Sequence, residues 1–445
     1  MIFEKYDEFQ RSEIKYIEKF PNEWSLERLK NIALIRYSNV DKKTYENQEQ
    51  VLLCNYTDVY KNEFITNNIE FMKATASYEE IRKFKIKKGD VLFTKDSESF
   101  DDNVNPCFIN DDFENVLCGY HLAQVRPNKN KIYSKWLFRV FQSINYNYYF
   151  AINSKGITRV GLGISAVNDA KIYFPSIDIQ TKIANYLDIK TKKIDDEITL
   201  LEQKIIKYKE LKQTLINETV LRGLDKSVEL QDSGIEWIGD IPKSWKTDRL
   251  KNIFDERVGK NLNKKTDEAV TKNILSVMKD VGVINHRDKG NVGNKMSEDI
   301  TNYKLVYPDD IVVNKMNIMI GSVGISKEFG ALSVIYIILI TKKDSYARYY
   351  DYFFKMKEFQ KNLRRIATGI LEIREAVNMT LFMQEMMLKP PLEEQIKIAN
   401  YLDEKTQKLD QITKTIKDKI DVLKEFRKTL INDVVTGKVK VEDEI

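Results

Sequence analysis

PSIDIQTKIANYLDIKTKKIDDEITLLEQKIIKYKELKQTLIN (residues 175–217) and PPLEEQIKIANYLDEKTQKLDQITKTIKDKIDVLKEFRKTLIN (residues 390–432) are two copies of one segment. They align without a gap at a constant offset of 215 residues, with IANYLD at Ile183 to Asp188 and Ile398 to Asp403 opening the match and TLIN closing it. Each copy carries a heptad seam. Leu187, Ile194, Leu201, Tyr208 and Leu215 fall seven apart in the first, with Ile198 and Ile205 at the alternate core position. Leu402, Leu409, Ile416, Leu423 and Leu430 do the same in the second, joined by Ile420. That period is the coiled-coil one, and most remaining positions are Lys, Glu, Asp or Gln. One such helix exposes a stripe that it cannot bury alone, so the two copies are expected to zip together as an antiparallel coiled coil, each arm roughly 60 Å long.

The duplication extends outward. FPNEWSLERLKNIALI (Phe20 to Ile35) precedes the first body and IPKSWKTDRLKNIFDE (Ile241 to Glu256) the second, matching Trp24 with Trp245 and RLKNI with RLKNI. Such a Pro, Trp and short amphipathic helix suit an anchor. The chain divides into a first body at 1–177, a long helix at 178–222, a second body at 223–392, a second long helix at 393–436 and a tail at 437–445. Each body holds a turn and then a buried strand ending at a lysine, Asp90 to Lys95 and Asp310 to Lys315. A helix is expected around Ser134 to Ile152 and again around Tyr346 to Ile366, and LSVIYIILI (Leu332 to Ile340) reads as one buried strand. The fold class is α+β: two bodies of mixed α/β structure separated by the long helices, with an internal pseudo-twofold repeat.

Composition sets the class of partner. A chain of 445 residues with 42% hydrophobic content suits two packed domains, and 72 basic against 67 acidic residues leave a mild net charge of +5, compatible with nucleic acid. Cys54, Cys107 and Cys118 have no metal spacing and read as reduced thiols of a cytoplasmic protein. The charged N-terminus offers no signal-peptide core, and no apolar run is long enough to span a bilayer, so no membrane association is expected.

Catalytic constellations are missing. His121 and His286 stand in different halves without partner spacing, no phosphate-binding G-x-x-x-x-G-K-[ST] loop occurs, and Gly161-Leu162-Gly163 lacks a dinucleotide-site context. Neither Lys389-Pro390-Pro391 nor Asn105-Pro106-Cys107 forms the Asn/Asp-Pro-Pro-aromatic pocket of an amino-methyltransferase. A binding signal is stronger. From Asn115 to Asn168 there is no Asp or Glu, while Arg126, Lys129, Lys131, Lys135, Arg139, Lys155 and Arg159 are present. That stretch is a candidate phosphate-facing footprint, with Lys361, Arg364, Arg365 and Arg374 as its counterpart in the second half. Lys95, Asp96 and Ser97 after one buried strand, and Lys315, Asn317 and Ser322 after the other, are candidates to reach base edges. A solvated helix face explains any single one of these residues equally well.

The duplicated P-x-x-x-Q-x-x-I-A-x-Y-L-D start, at Pro175, Gln180, Ile183, Ala184, Tyr186, Leu187 and Asp188 and at Pro390, Gln395, Ile398, Ala399, Tyr401, Leu402 and Asp403, resembles the specificity subunit of type I restriction-modification systems. The first copy has Ile179 where the second has Glu394, so the Glu-Gln pair usual in that family survives only in the second. The resemblance implies two target recognition domains, each binding one half of a bipartite double-stranded DNA target, and helices that hold them apart and dock two methyltransferase subunits. It implies no catalysis and no cofactor in this chain: S-adenosylmethionine, ATP and Mg would serve the methyltransferase and the restriction/translocase subunits. A coiled-coil assembly scaffold without DNA is the alternative, and a self-contained nuclease or methyltransferase the third reading.

Overall fold

The computed structural model describes residues 6–290, 295–368 and 376–441. The chain forms two compact units, Met1–Glu202 with Lys417–Ile445 and Gln203–Ile416. The long helices run Ile177–Arg222 and Leu392–Val435. Each therefore starts in one unit and ends in the other. They are antiparallel within each unit: Glu197 pairs with Lys419 and Asp195 with Arg427 in the first, and Lys212 with Asp410 in the second. The heptad residues are buried or half-buried along both helices, from Leu187 and Leu402 at 0% exposure to Leu201 and Leu423 in the intermediate range.

The first unit is built on a five-stranded sheet, in the order Ala33–Tyr37, Leu122–Pro127, Val91–Thr94, Pro106–Ile109 and Phe64–Ile65. Three further strands (Val116–Cys118, Glu49–Cys54, Met72–Ala76) close a core that contains all three cysteines, each a free thiol. The second unit has the matching sheet with four strands, Phe254–Glu256, Tyr336–Thr341, Ile311–Asn314 and Val323–Ile325. The strands expected after Asp90 and Asp310 are present and fully buried. In both units the lead-in strand pairs antiparallel with the strand that feeds the long helix: Ser25–Arg28 with Lys171–Phe174, and Lys246–Arg249 with Met386–Lys389.

The repeat motif is explained by what its polar residues tie. Gln180 is fully buried; its amide accepts the Tyr133 N–H and donates to the carbonyls of Lys131 and Pro175. Gln395 does the same with Tyr346, Asp344 and Pro390. Asp188 receives Lys135 and Arg139, and Asp403 receives Arg348 and the Tyr352 hydroxyl. At the far end of the motif, Asn432 Oδ1 accepts the Asn145 N–H, while Asn217 donates to Glu358. Each long helix closes at a left-handed glycine, Gly223 (φ 74°) or Gly437 (φ 75°), which lets the chain lie flat on Trp245 or Trp24.

Two expectations are corrected. LSVIYIILI is two strands, Gly330–Leu332 and Tyr336–Thr341, because Tyr336 N–H closes a turn onto Ser333 and the two pieces pair with different partners. The late helix of each body is also two. Ser134–Phe141 breaks before Ile144–Asn153, where Ser143 caps the new helix, and Ala347–Phe354 breaks before Lys357–Asn362 at the fully buried Met356.

Two consequences are measurable. Gln395→Ala strands one N–H and two carbonyls inside the second unit, and a cost of about 3 kcal/mol or more is expected, seen as faster hydrogen exchange at Tyr346. In the first unit Glu63 lies between Arg139 and Arg427. Burial alone would raise its pKa, but the two guanidinium groups outweigh it and hold the carboxyl below its usual range. A depressed carboxylate stabilises above its unfolded pKa of about 4.3, and that stability is lost as pH falls through the folded value. Glu63→Gln should therefore lower the thermal unfolding temperature clearly at pH 7, and the gap to wild type should close on acidification below about pH 4.

Candidate nucleic-acid interface

In the first unit three segments converge beyond the buried strand Val91–Thr94. Asp96–Ser97 pairs with Val160–Leu162 of a hairpin whose other strand is Ser154–Lys155. The Lys95 N–H donates to the carbonyl of His121, a residue at φ 72° in the turn before Leu122. Asp96 thus comes to sit between two donors: His121 Nδ1 is 2.7 Å from Asp96 Oδ2, and Arg159 Nη2 is 2.7 Å from Oδ1. Beside them Tyr56 and Tyr60 stack with centroids 5.6 Å apart, and the Tyr60 hydroxyl donates to Asp102 at 3.0 Å. The Tyr56 phenol is pushed up by burial and by the negative charges of Asp102 and Asp96.

The second unit presents a cleft of about 430 Å³ at the corresponding end of its buried strand. Asn314, Ser322, Ser276 and Tyr336 lie in it, and Asn317 and Met316 come from the turn after the strand. Lys279, His286, Lys289 and Lys295 supply its basic side chains, and no Asp or Glu is among the lining residues. Tyr336 is anchored by its hydroxyl to Ser276 at 3.1 Å.

The sequence candidates distribute unevenly. Arg159 and Lys155 are exposed on the first unit's hairpin, and Asn317 and Ser322 line the second unit's cleft. Lys95 lies half-buried over the rings of Tyr37 and Tyr120, 5.0 and 5.1 Å from their centroids, and burial holds its ammonium below the usual lysine range. Ser97 is buried, its hydroxyl 3.4 Å from Asp102. Lys315 is half-buried, with its carbonyl accepting from Val377. Lys361 and Arg364 are exposed and have no acidic partner among the described residues, while Arg365 is paired with the buried Glu385. Arg374 lies outside the described residues.

Arg139 and Lys135 need correction as surface cations. Arg139 is 1% exposed and bonded to Glu63 and Asp188, so its charge is neutralised inside the unit, and Lys135 is half-buried and paired with Asp188 at 2.6 Å. Arg126 is likewise held by Asp90. The acid-free stretch is therefore only partly an outward footprint. The residues missed by sequence reasoning are Tyr56, Tyr60, Asp102 and His121, and in the cleft Lys279, Lys289 and Lys295. A hairpin signal, Leu275 to Met278 and Gly282 to Asn285 around Lys279-Asp280-Val281, was available for Lys279 alone.

The profile of the type I restriction modification DNA specificity domain matches residues 21–208 and again 242–422. The chain belongs to that family. A chain of Methanocaldococcus jannaschii named for the specificity subunit of the MjaX type I restriction enzyme is 21% identical over 448 residues, covering 99% of this chain and 98% of its own. Among solved structures, the HsdS subunit of Thermoanaerobacter tengcongensis superposes with a TM-score of 0.56 at 16% identity, covering 94% of this chain and 98% of that one. A chain from a study of complex assembly and conformational transition in the type I restriction-modification system reaches 0.69 at 15% identity, covering 94% and 99%. These likenesses establish the fold of a type I specificity subunit. No helix among the described residues is long and apolar enough to cross a membrane.

For a specificity subunit the cleft lysines should act as phosphate-neutralising charges. Lys279→Ala with Lys295→Ala, in the full chain bound to its partner subunits, is expected to lower the slope of log affinity against log salt by about 0.9 per lysine, read from duplex binding between 50 and 200 mM salt.

Proposed function

We propose that this chain is the sequence-reading subunit of a type I restriction-modification complex, binding a bipartite, asymmetric duplex target with one half-site per unit. The observation that carries the proposal is one frame with two unlike surfaces. The Gln and Asp ties of the repeat recur in both units, yet the ends of the matching buried strands display a carboxylate-buttressed arginine in one and a lysine-rich cleft in the other. Two copies of one device with different surface chemistry suit two different half-sites.

The long helices set the spacing of the half-sites and dock two methyltransferase subunits. In support of docking, the coil leaves apolar side chains uncovered: Leu200, Val422 and Phe426 in the first unit, and Ile206, Leu211 and Ile412 in the second. The chain does no chemistry itself. Adenine methylation from S-adenosylmethionine, and translocation and cleavage driven by ATP with Mg, fall to the methyltransferase and restriction/translocase subunits, in the cytoplasm.

Methylated adenines are mapped in a methylation-free host that expresses the partner methyltransferase with or without this chain. A two-part motif with a fixed gap is expected only when the chain is present. Replacing residues 36–170 by another body should change one half of the motif, and removing about one helical turn from each arm should change the gap. A body replacement that leaves both halves intact would refute the reading.

A further inference from the structure

The first unit's hairpin ends in Ser154-Lys155-Gly156-Ile157-Thr158-Arg159, and its tip is tightly specified. Gly156 sits at φ 142°, and a Cβ there would lie 1.9 Å from the Arg159 carbonyl oxygen, so only glycine lets the two strands close. Arg159 is thereby set next to Asp96, whose side chain is 14% exposed and is held from its other oxygen by His121.

A guanidinium carries two edges with two N–H groups each, and both edges share Nη2. Asp96 takes one Nη2 N–H; His121 Nδ1 lies 3.4 Å from Nη2 but gives its own proton to Asp96 and so cannot accept a second, and Nε and Nη1 have no hydrogen-bond partner among the described residues. One whole two-donor edge therefore remains open to solvent on a side chain that is 59% exposed but oriented. The charge argues against phosphate as its ligand. Asp96 cancels the charge of Arg159 and would repel an approaching phosphate, whereas Lys155, directly across the same hairpin from Gly161, is exposed and has no acidic partner among the described residues. A neutralised, fixed two-donor edge is matched by two adjacent acceptors of a neutral ring, the O6 and N7 of guanine in the major groove. Ile157, wholly exposed at the tip, supplies an apolar neighbour for a base edge.

We infer that Arg159 reads a guanine in the half-site bound by the first unit, with Asp96 as its positioning residue and Lys155 as a phosphate contact. The inference rests on the DNA-reading role proposed above and adds the base and the side chain.

The test uses the full chain in complex with its methyltransferase. Methylation motifs are compared for the wild type, Arg159→Gln, Asp96→Asn and Lys155→Ala. Arg159→Gln should relax one position, a guanine in the wild-type motif, by about 10- to 100-fold in discrimination, with the other half-site and the gap unchanged. Asp96→Asn should relax the same position less. Lys155→Ala should weaken methylation at all sites without changing the motif. Should Arg159→Gln abolish methylation by unfolding the unit, 7-deazaguanine decides with the wild-type complex. Placed at that position it removes the N7 acceptor, and duplex binding should fall by about tenfold. An unchanged motif for Arg159→Gln, relaxation at a position that is not guanine on either strand, or indifference to 7-deazaguanine overturns the inference while leaving the DNA-reading role standing. Absence of any motif with the wild type overturns both.

Discussion

A buried side-chain amide holds each half of this protein to its scaffold. Gln180 and Gln395 are wholly removed from solvent, and each spends its carbonyl and its amino group on three backbone groups. Those groups come from the loop before the late helix and from the loop that opens the long helix. An apolar residue in that place would strand all three, at a cost of about 1–3 kcal/mol each. The angle at which the body meets its long helix therefore follows from one residue type at one position. The neighbouring aspartates, Asp188 and Asp403, add a charged tie a little over two turns further along, and the buried Ile183 and Ala184, like Ile398 and Ala399, lie between.

This explains which parts of the fold were legible in the sequence. The frame was, because amide, carboxylate, aromatic ring and heptad seam must each recur at fixed spacing for the same geometry to form twice. The surfaces were not. Charge counting assigned Arg139 and Lys135 to solvent because their own stretch has no acid, yet their partners Glu63 and Asp188 are 76 and 53 positions away in the chain. Local composition registers only local neutralisation, and a sheet with a helix packed on it brings distant charges together. Arg159 was identified from the same stretch and does reach solvent, but the role of Asp96 in orienting it was invisible without the pairing of Asp96–Ser97 to Val160–Leu162.

The two units also show how a body changes while its sheet is kept. Asp90 and Asp310 occupy the same place before the central strand, each accepting a turn N–H, from Lys87 and Tyr307. In the first unit Arg126, on the adjacent strand, neutralises Asp90. In the second Arg257, from the next strand out, neutralises Asp310. Arg36, the counterpart of Arg257 in the matching lead-in, turns instead to the Lys83 carbonyl and has its pKa lowered by burial and by Arg126. The buried carboxylate is a fixed requirement, and the strand that supplies its cation is free to change.

That freedom depends on what the frame grips. Nearly every contact that Gln180, Gln395 and Asn432 make with a body is to main-chain atoms, which any sequence supplies. Asp188 and Asp403 require side-chain donors, but Lys with Arg serves in one unit and Arg with Tyr in the other. A specific side-chain pair occurs at the lead-in tryptophan: Trp245 donates its indole N–H to Glu394 at 2.6 Å, whereas Trp24, in the half that carries Ile179, has no acceptor for its N–H among the described residues. The chain tolerates that loss because the tryptophan is already fixed by Gly437 and by the edge of Tyr6. A scaffold that binds its bodies through backbone groups constrains their orientation but not their composition. New reading surfaces can then be fitted to it without rebuilding the joint.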